Sequence, residues 1–266
     1  MAKSNTKGTN FLVQGSILAI ASIISRIIGL IYRIPMTAII GDVGNNYYAA
    51  AFDIYNVMLI ISSYSLPLAV SKLVSAKMAK GQFKTAYQVL KGALLFALVS
   101  GTIVAVIVFF GAGFFTKTLL STPNSIFALR VLAPALVIVA VLGVIRGFFQ
   151  GLGTMMPSAV SQIIEQVVNA IVSVWAAYVL YRVGAKTGAV LGDKEHYAAA
   201  YGAAGGTLGT NLGSVAALLF VLFVFAVYLR VFKRIMKKDR HVKVDSFAYT
   251  MKVLVITIIP VLLSTT

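Results

Sequence analysis

An all-α polytopic membrane protein is the fold class this sequence predicts, and three observations predict it. Hydrophobic residues fill 59% of its 266 positions and charged residues only 11%, with a mean hydropathy of +0.93; soluble domains carry roughly 45–50% and about 25%. Apolar runs recur that are long enough to cross a hydrocarbon layer of roughly 30 Å, which takes about 20 helical residues. Lys and Arg collect in alternate connecting segments, the asymmetry expected of a helical bundle threaded through a bilayer. A water-soluble globule would have too few charges to cover its surface, and a disordered chain would be far less apolar. Isolated strands cannot satisfy their backbones in lipid, and the alternating ten-residue pattern of a membrane barrel is absent.

Six complete spans are expected, at 11–40, 46–71, 86–115, 126–149, 157–181 and 198–232. The first follows Lys3 and Lys7 as a secretory leader would, but it is too long, contains Arg26 and lacks a small-residue cleavage site. It is therefore read as a retained helix. The connections are GDVGNN (41–46), SKLVSAKMAKGQFK (71–84), TKTLLSTPNS (116–125), QGLGTMMP (150–157) and VGAKTGAVLGDKEH (183–196). After KRIMKKDRHVKVD (233–245) a seventh apolar run starts near Phe247 and stops at Thr266, soon after Pro260. Residues 1–245 are thus expected to form one six-helix lobe, and 246–266 the truncated start of a second.

One side of the bundle collects Lys3, Lys7, Lys72, Lys77, Lys80, Lys84, Arg146 and the run from Arg230 to Lys243. The other holds Lys117, Arg182, Lys186 and Lys194, partly offset by Asp42, Asp193 and Glu195. The positive-inside rule then places the N-terminus in the cytoplasm. This topology accounts for the net charge of +16 without nucleic acid, since no aromatic-interleaved basic patch accompanies it. With no Cys there is no disulfide or thiolate site, and His196 and His241 form no ligand cluster. No metal site or cofactor is expected. P-loop, HExxH, GxSxG and Asp-rich pyrophosphate motifs are absent, which argues against an enzyme. The glycine-rich GFFQGLG and YGAAGGTLG follow no strand, so neither is read as a phosphate cradle.

Polar residues inside the spans carry the functional signal, because each costs about 2.5–3.5 kcal/mol to insert when charged. Ser22, Arg26, Gly29 and Arg33 share one face of the first helix, the two arginines about 20° apart around the axis. They read as a cationic stripe lining a water-filled cavity that receives an anion. Arg33 has the alternative of snorkelling to the interface past Pro35, whereas Arg26 sits near mid-span. On the second helix, Asp53, Asn56, Ser63 and Pro67 share a similar face. Asp53 either pairs with Arg26 or binds a coupling cation, Na⁺ or H⁺. The fifth helix carries Ser158, Gln162, Glu165, Asn169 and Ser173 in one line, with Gln166 beside it. That line suits a hydrated lumen, or interhelical hydrogen bonds at about 0.6–2 kcal/mol each. Gly202, Gly206, Gly209 and Gly213 on the sixth helix suit close packing or a hinge.

SRIIGLIYRIPM (25–36), the Asp53–Asn56 helix, SLPLAVSKLVSAKMAKG (65–81) and above all IRGFFQGLGTMMPSAVSQIIEQVVN (145–169) resemble one family from about residue 10 onward. It is the polysaccharide-flippase branch of the multidrug/oligosaccharidyl-lipid/polysaccharide exporter superfamily, within it the stage V sporulation protein B-like and MurJ-like lipid II flippases. The resemblance implies a two-lobed transporter of the bacterial cytoplasmic membrane, six helices per lobe, with a V-shaped cavity exposed alternately to each side. It implies a lipid-linked sugar diphosphate as substrate, for polysaccharide, peptidoglycan or spore envelope synthesis, with membrane lipids and a C-terminal lobe as partners. Arg26 matches the first cavity arginine of such flippases, and Arg33 the second, displaced by one residue. Leu59 stands where their second-helix arginine falls. The expected substrate-binding set is Arg26, Arg33, Asn56, Gln162, Glu165 and Asn169, with Asp53 or Glu165 for ion coupling. The rival readings are a multidrug-extrusion cation antiporter, a non-transporting truncated remnant and an intramembrane transferase or phosphatase.

Overall fold

A computed structural model describes residues 5–237 together with 246, 247, 249, 252, 253 and 255–257, and the side chains from residue 13 onward. Among them all regular structure is helical: α1 (Asn5–Leu59), a π-helical turn (Ile60–Tyr64), α2 (Leu66–Ala79), α3 (Phe83–Phe114), a second π-helical turn (Phe115–Leu119), a 3-10 turn (Pro123–Ser125), α4 (Ile126–Gly151), α5 (Met156–Leu191) and α6 (Lys194–Lys237). Lys3, His241, Lys243 and most of the expected seventh span lie outside the described residues.

Five runs are long and apolar enough to cross a membrane, the first being the 67 residues Val13–Ala79. A straight helix of that length would extend about 100 Å. It is not straight. Gly41 adopts φ 68°, ψ −178°, a conformation that glycine reaches at little cost and a β-branched residue does not. The Tyr32 and Tyr48 hydroxyls stand 3.5 Å apart, whereas 16 residues of continuous helix would separate their backbones by about 24 Å. The chain therefore doubles back at Gly41, and residues 5–40 and 42–59 are separate arms. The π-helical turn and α2 continue the second arm, so the described residues make six crossings. The expected six-residue turn at 41–46 is compressed to one glycine.

The largest departure concerns α5 and α6. The sequence suggests a polar loop at 183–196, but α5 runs on to Leu191 and α6 begins at Lys194. The turn between them is made by Gly192 at φ 80°. Gly184 and Gly188, which read as loop residues, are contact points: a Cβ on Gly188 would stand 2.6 Å from the Asp193 carbonyl oxygen. At 36 residues, α5 is about 54 Å long. The hairpin tip thus projects beyond the hydrocarbon layer, where Arg182, Lys186 and Lys194 are exposed.

Close-packed glycine stripes hold the bundle together, because lipid tails leave no hydrophobic driving force between helices. Along α6, Gly205 meets the Ala176 carbonyl, Gly209 meets Asn169 and Ser173, and Gly213 faces the Glu165 carbonyl. Packing, one of the two expected roles, is what these glycines perform. A second stripe on α4, Gly143, Gly147 and Gly151, receives Pro67, Ser71 and Val74 around α2. The core contains Met36, Tyr48, Leu129, Leu132 and Leu136 at one end and Leu66, Val70, Leu90, Phe148 and Phe232 at the other. Ile31, Phe110, Ile171, Trp175 and Phe223 are exposed, as lipid-facing residues must be.

Orientation is directly testable, since the chain has no cysteine of its own. A single cysteine at Lys80 is expected to react with an impermeant maleimide only from the cytoplasmic side, and one at Lys186 only from the opposite side. The reverse pattern would invert the topology.

Candidate functional site

Three helices contribute to a polar cluster in the bundle wall. Arg146 of α4 donates from Nη2 to Glu165 Oε2 of α5 at 2.9 Å, and from Nε to Ser161 Oγ at 2.8 Å. Ser214 of α6 donates to the other Glu165 oxygen at 3.1 Å. The charged side chains are only 15% and 18% exposed. An isolated charge would be costly there; each neutralises the other, and hydroxyls take up further bonding capacity. One turn away, Gln150 donates to Ser158 at 3.3 Å.

The cluster borders an open-mouthed hollow between the second arm of α1, α2, α4 and α5. Ser63, Tyr64, Gly143, Arg146, Gln150 and Gln162 line it, with Leu59 at its edge. Arg146 was grouped above with the cytoplasmic loop charges. It lies near the end of α4 that this grouping assigns to the cytoplasmic side, and its guanidinium turns into the bundle. The available signal was Arg146 and Gln150 one turn apart on a helix whose only other charged residue is Arg130. Nothing in the sequence, however, pairs that arginine with Glu165.

Arg26 and Arg33 occupy a different place. The first arm of α1 buries Ala21, Tyr32, Met36 and Ile40 and exposes Ile20, Ile23, Ile27, Ile31 and Ile34. At 100° per residue both arginines fall on the border between these faces, on the flank of Ser22. Both are exposed. Ser22 donates to Gln162 at 3.3 Å, and Gly29 lies opposite Gln166, so this flank adjoins the polar side of α5. The Arg33 guanidinium carbon sits 5.8 Å from the centre of the Tyr48 ring, a contact worth about 0.5–1 kcal/mol at an exposed site.

Asp53 and Asn56 are exposed on the second arm. Among the described residues no ion pair joins Asp53 to Arg26, so that alternative for Asp53 is not realised. Asp53 instead stands at an apolar hollow formed with Ile54, Val57, Met58, Phe115, Leu119 and Leu120.

The polar line of α5 divides. Asn169 is 7% exposed; its amide donates to Tyr32 Oη at 3.4 Å and its oxygen accepts from Ser173 at 2.8 Å. Ser158 and Ser173 are fully buried, Ser173 also lying 2.7 Å from the Gly206 carbonyl oxygen. These three act as interhelical bonding groups. Gln162 and Glu165 belong to the hollow and its polar cluster.

Comparison with known proteins agrees with this architecture. A family model described as polysaccharide biosynthesis protein matches residues 12–265. The chain is similar to the lipid II flippase MurJ of Bacillus subtilis (strain 168), with 31% identity over 181 residues, 65% of this chain and 33% of that one. It is also similar to stage V sporulation protein B of the same organism, with 29% identity over 153 residues, 58% of this chain and 30% of that one. The chain spans about a third of the length of these relatives. Two solved structures share the fold at 17% identity, each covering 94% of this chain and 51% of its own. One is a MOP superfamily transporter from Pyrococcus furiosus, at a TM-score of 0.69, described as having a binding pocket of reversed polarity. The other is an outward-facing multidrug resistance transporter of the MATE family, at a TM-score of 0.70.

Proposed function

Because the chain belongs to the polysaccharide biosynthesis protein family and has the fold of MOP superfamily transporters, we propose that it is the N-terminal lobe of a flippase. Its cargo would be an undecaprenyl-diphosphate-linked oligosaccharide or peptidoglycan precursor, carried across the bacterial cytoplasmic membrane by alternating access. The reading has a physical basis. Such a lipid keeps its apolar tail in the bilayer, while its anionic headgroup cannot cross hydrocarbon unaided. The protein must therefore offer cations on a surface that adjoins both lipid and a hydrated hollow.

The observation that carries the proposal is the placement of Arg26 and Arg33 on the border between buried and lipid-facing residues of α1. Arg26 would receive the diphosphate, assisted by Arg33, with Asn56 and Gln162 toward the sugar. Asn169 would position Tyr32 and Ser173 rather than touch cargo. Glu165 already has a guanidinium counter-ion, which makes it a poor ligand for a coupling Na⁺ or H⁺. Asp53, without one, is the better candidate. Alternating access needs a second lobe, as in other transporters that rock one repeat against another.

One observation favours a second reading. A carboxylate at an apolar hollow, as Asp53 is placed, suits a lipophilic cation, so multidrug extrusion is the rival. The full encoded protein distinguishes them when expressed in cells lacking their own precursor flippases. Restored accessibility of the lipid-linked precursor at the outer face supports the flippase reading. Efflux of a labelled lipophilic cation without that restoration would replace it, and neither activity would make the protein a non-transporting remnant.

A further inference from the structure

We propose that Arg146 is a further anion-receiving residue of the lobe and that Glu165 is the counter-ion it exchanges for an incoming phosphate oxygen. This rests on the flippase reading above. A guanidinium has five N–H donors. Nε binds Ser161 and one Nη2 hydrogen binds Glu165, which leaves three for the hollow that Arg146 lines.

Stability alone gives little reason for the pair, because a buried ion pair roughly breaks even against apolar residues of similar volume. Its position at the wall of a hollow that Gln150, Gln162 and Ser63 also line gives a better one. Exchanging a carboxylate for a phosphate partner leaves the guanidinium compensated throughout, so the cost of the step falls on Glu165 alone. Glu165 keeps the Ser214 hydroxyl when Arg146 turns away. The same exchange loosens the α4–α5 contact, which ties headgroup arrival to the packing of the lobe. Gln150, Gln162 and Ser63 stand along the same hollow, beside Leu59, Pro67 and Val139, and are neutral polar groups suited to a sugar hydroxyl or phosphate ester.

The test uses the purified full encoded protein with two probes in detergent: undecaprenyl diphosphate, and undecaprenol as its uncharged counterpart. The wild type is expected to prefer the diphosphate. R146A should weaken diphosphate binding by about tenfold, the worth of one charge-assisted hydrogen bond, with undecaprenol binding unchanged. E165Q should strengthen diphosphate binding, because it removes the competitor. The swap R146E/E165R restores an ion pair but presents a carboxylate to the hollow, so it should melt near the wild type and bind no better than R146A.

Wild-type affinity in the swap would show a purely structural pair and overturn the inference. Unchanged affinity in folded R146A, or weaker binding in folded E165Q, would do the same while leaving the functional reading intact. A wild type that does not discriminate between the probes would overturn the functional reading itself, and this inference with it.

Discussion

Alanine at position 26 is expected to abolish precursor translocation by the full encoded protein while leaving its amount in the membrane unchanged. Arg26 is exposed and lies on the border of the buried face of α1, so truncating it opens no core cavity. Substitutions of that kind usually move stability by no more than about 0.5 kcal/mol. Function should respond very differently. A guanidinium meets a phosphate through two charge-assisted hydrogen bonds, each worth about 1.5–3 kcal/mol. Their joint loss corresponds to a hundredfold drop or more, the floor of a lipid-accessibility assay. Lysine at the same position keeps the charge but not the planar fork, and should recover part of the rate. Normal flipping by Arg26→Ala would remove this residue from the headgroup site.

The second large effect is structural. Valine at Gly209 is expected to leave little folded protein, measured as a monodisperse fraction after detergent extraction and as a melting temperature. A Cβ there would stand 2.6 Å from both the Asn169 carbonyl oxygen and its side-chain Oδ1, and would overlap Ser173 Oγ. Real Cβ contacts do not come so close; Ser173 Oγ and Asn169 Oδ1 are side-chain atoms, but the Asn169 carbonyl oxygen belongs to a neighbouring helix backbone that cannot rotate away. Overpacking a well-packed site costs about 1–3 kcal/mol and occasionally more; with backbone in the way, the upper end of that range is expected. Valine at Leu219, on the same helix but exposed, is the control that should fold normally. Equal yields from the two variants would mean that α5 and α6 do not meet along this stripe.

The two experiments probe an exposed flank of α1 and a buried contact between α5 and α6. Arg26 is argued to act because it is not absorbed into packing, and Gly209 because it is nothing but packing. Losing transport in the first with folding retained, and folding in the second, would separate the headgroup surface from the scaffold that presents it.

Much of the architecture was legible because the bilayer constrains it. Apolar length and alternating charge bias are one-dimensional properties, and they gave six crossings even though Val13–Ala79 forms one nearly continuous run of helix. The reversal at Gly41 was anticipated as a turn because glycine and polar residues interrupt the apolar pattern there. The hairpin extension of α5 and α6 was not anticipated. Gly184 and Gly188 look the same in sequence whether they loosen a loop or admit a neighbouring backbone, and only the partner helix distinguishes the two.

The site divides along the same line. That Arg26 and Arg33 share a flank follows from helical periodicity, and so does the alignment of Ser158, Gln162, Glu165, Asn169 and Ser173. Periodicity cannot say which members of a polar stripe meet a hollow and which meet a neighbour. Tyr32 and the α5–α6 contact claim Asn169 and Ser173, while Gln162 lines the hollow and Glu165 holds Arg146 at its wall.

What the sequence by itself determined is the membrane class, the number of crossings and the face on which each polar residue lies, since hydropathy and helical pitch are local. What only the tertiary structure decided is the partnership of Arg146 with Glu165 and the hollow beside it. Those depend on bringing together side chains 19 residues apart along the chain, with Ser214 arriving from 49 residues beyond Glu165. A buried charge selects its counter-ion by proximity in space, and chain order does not encode that proximity.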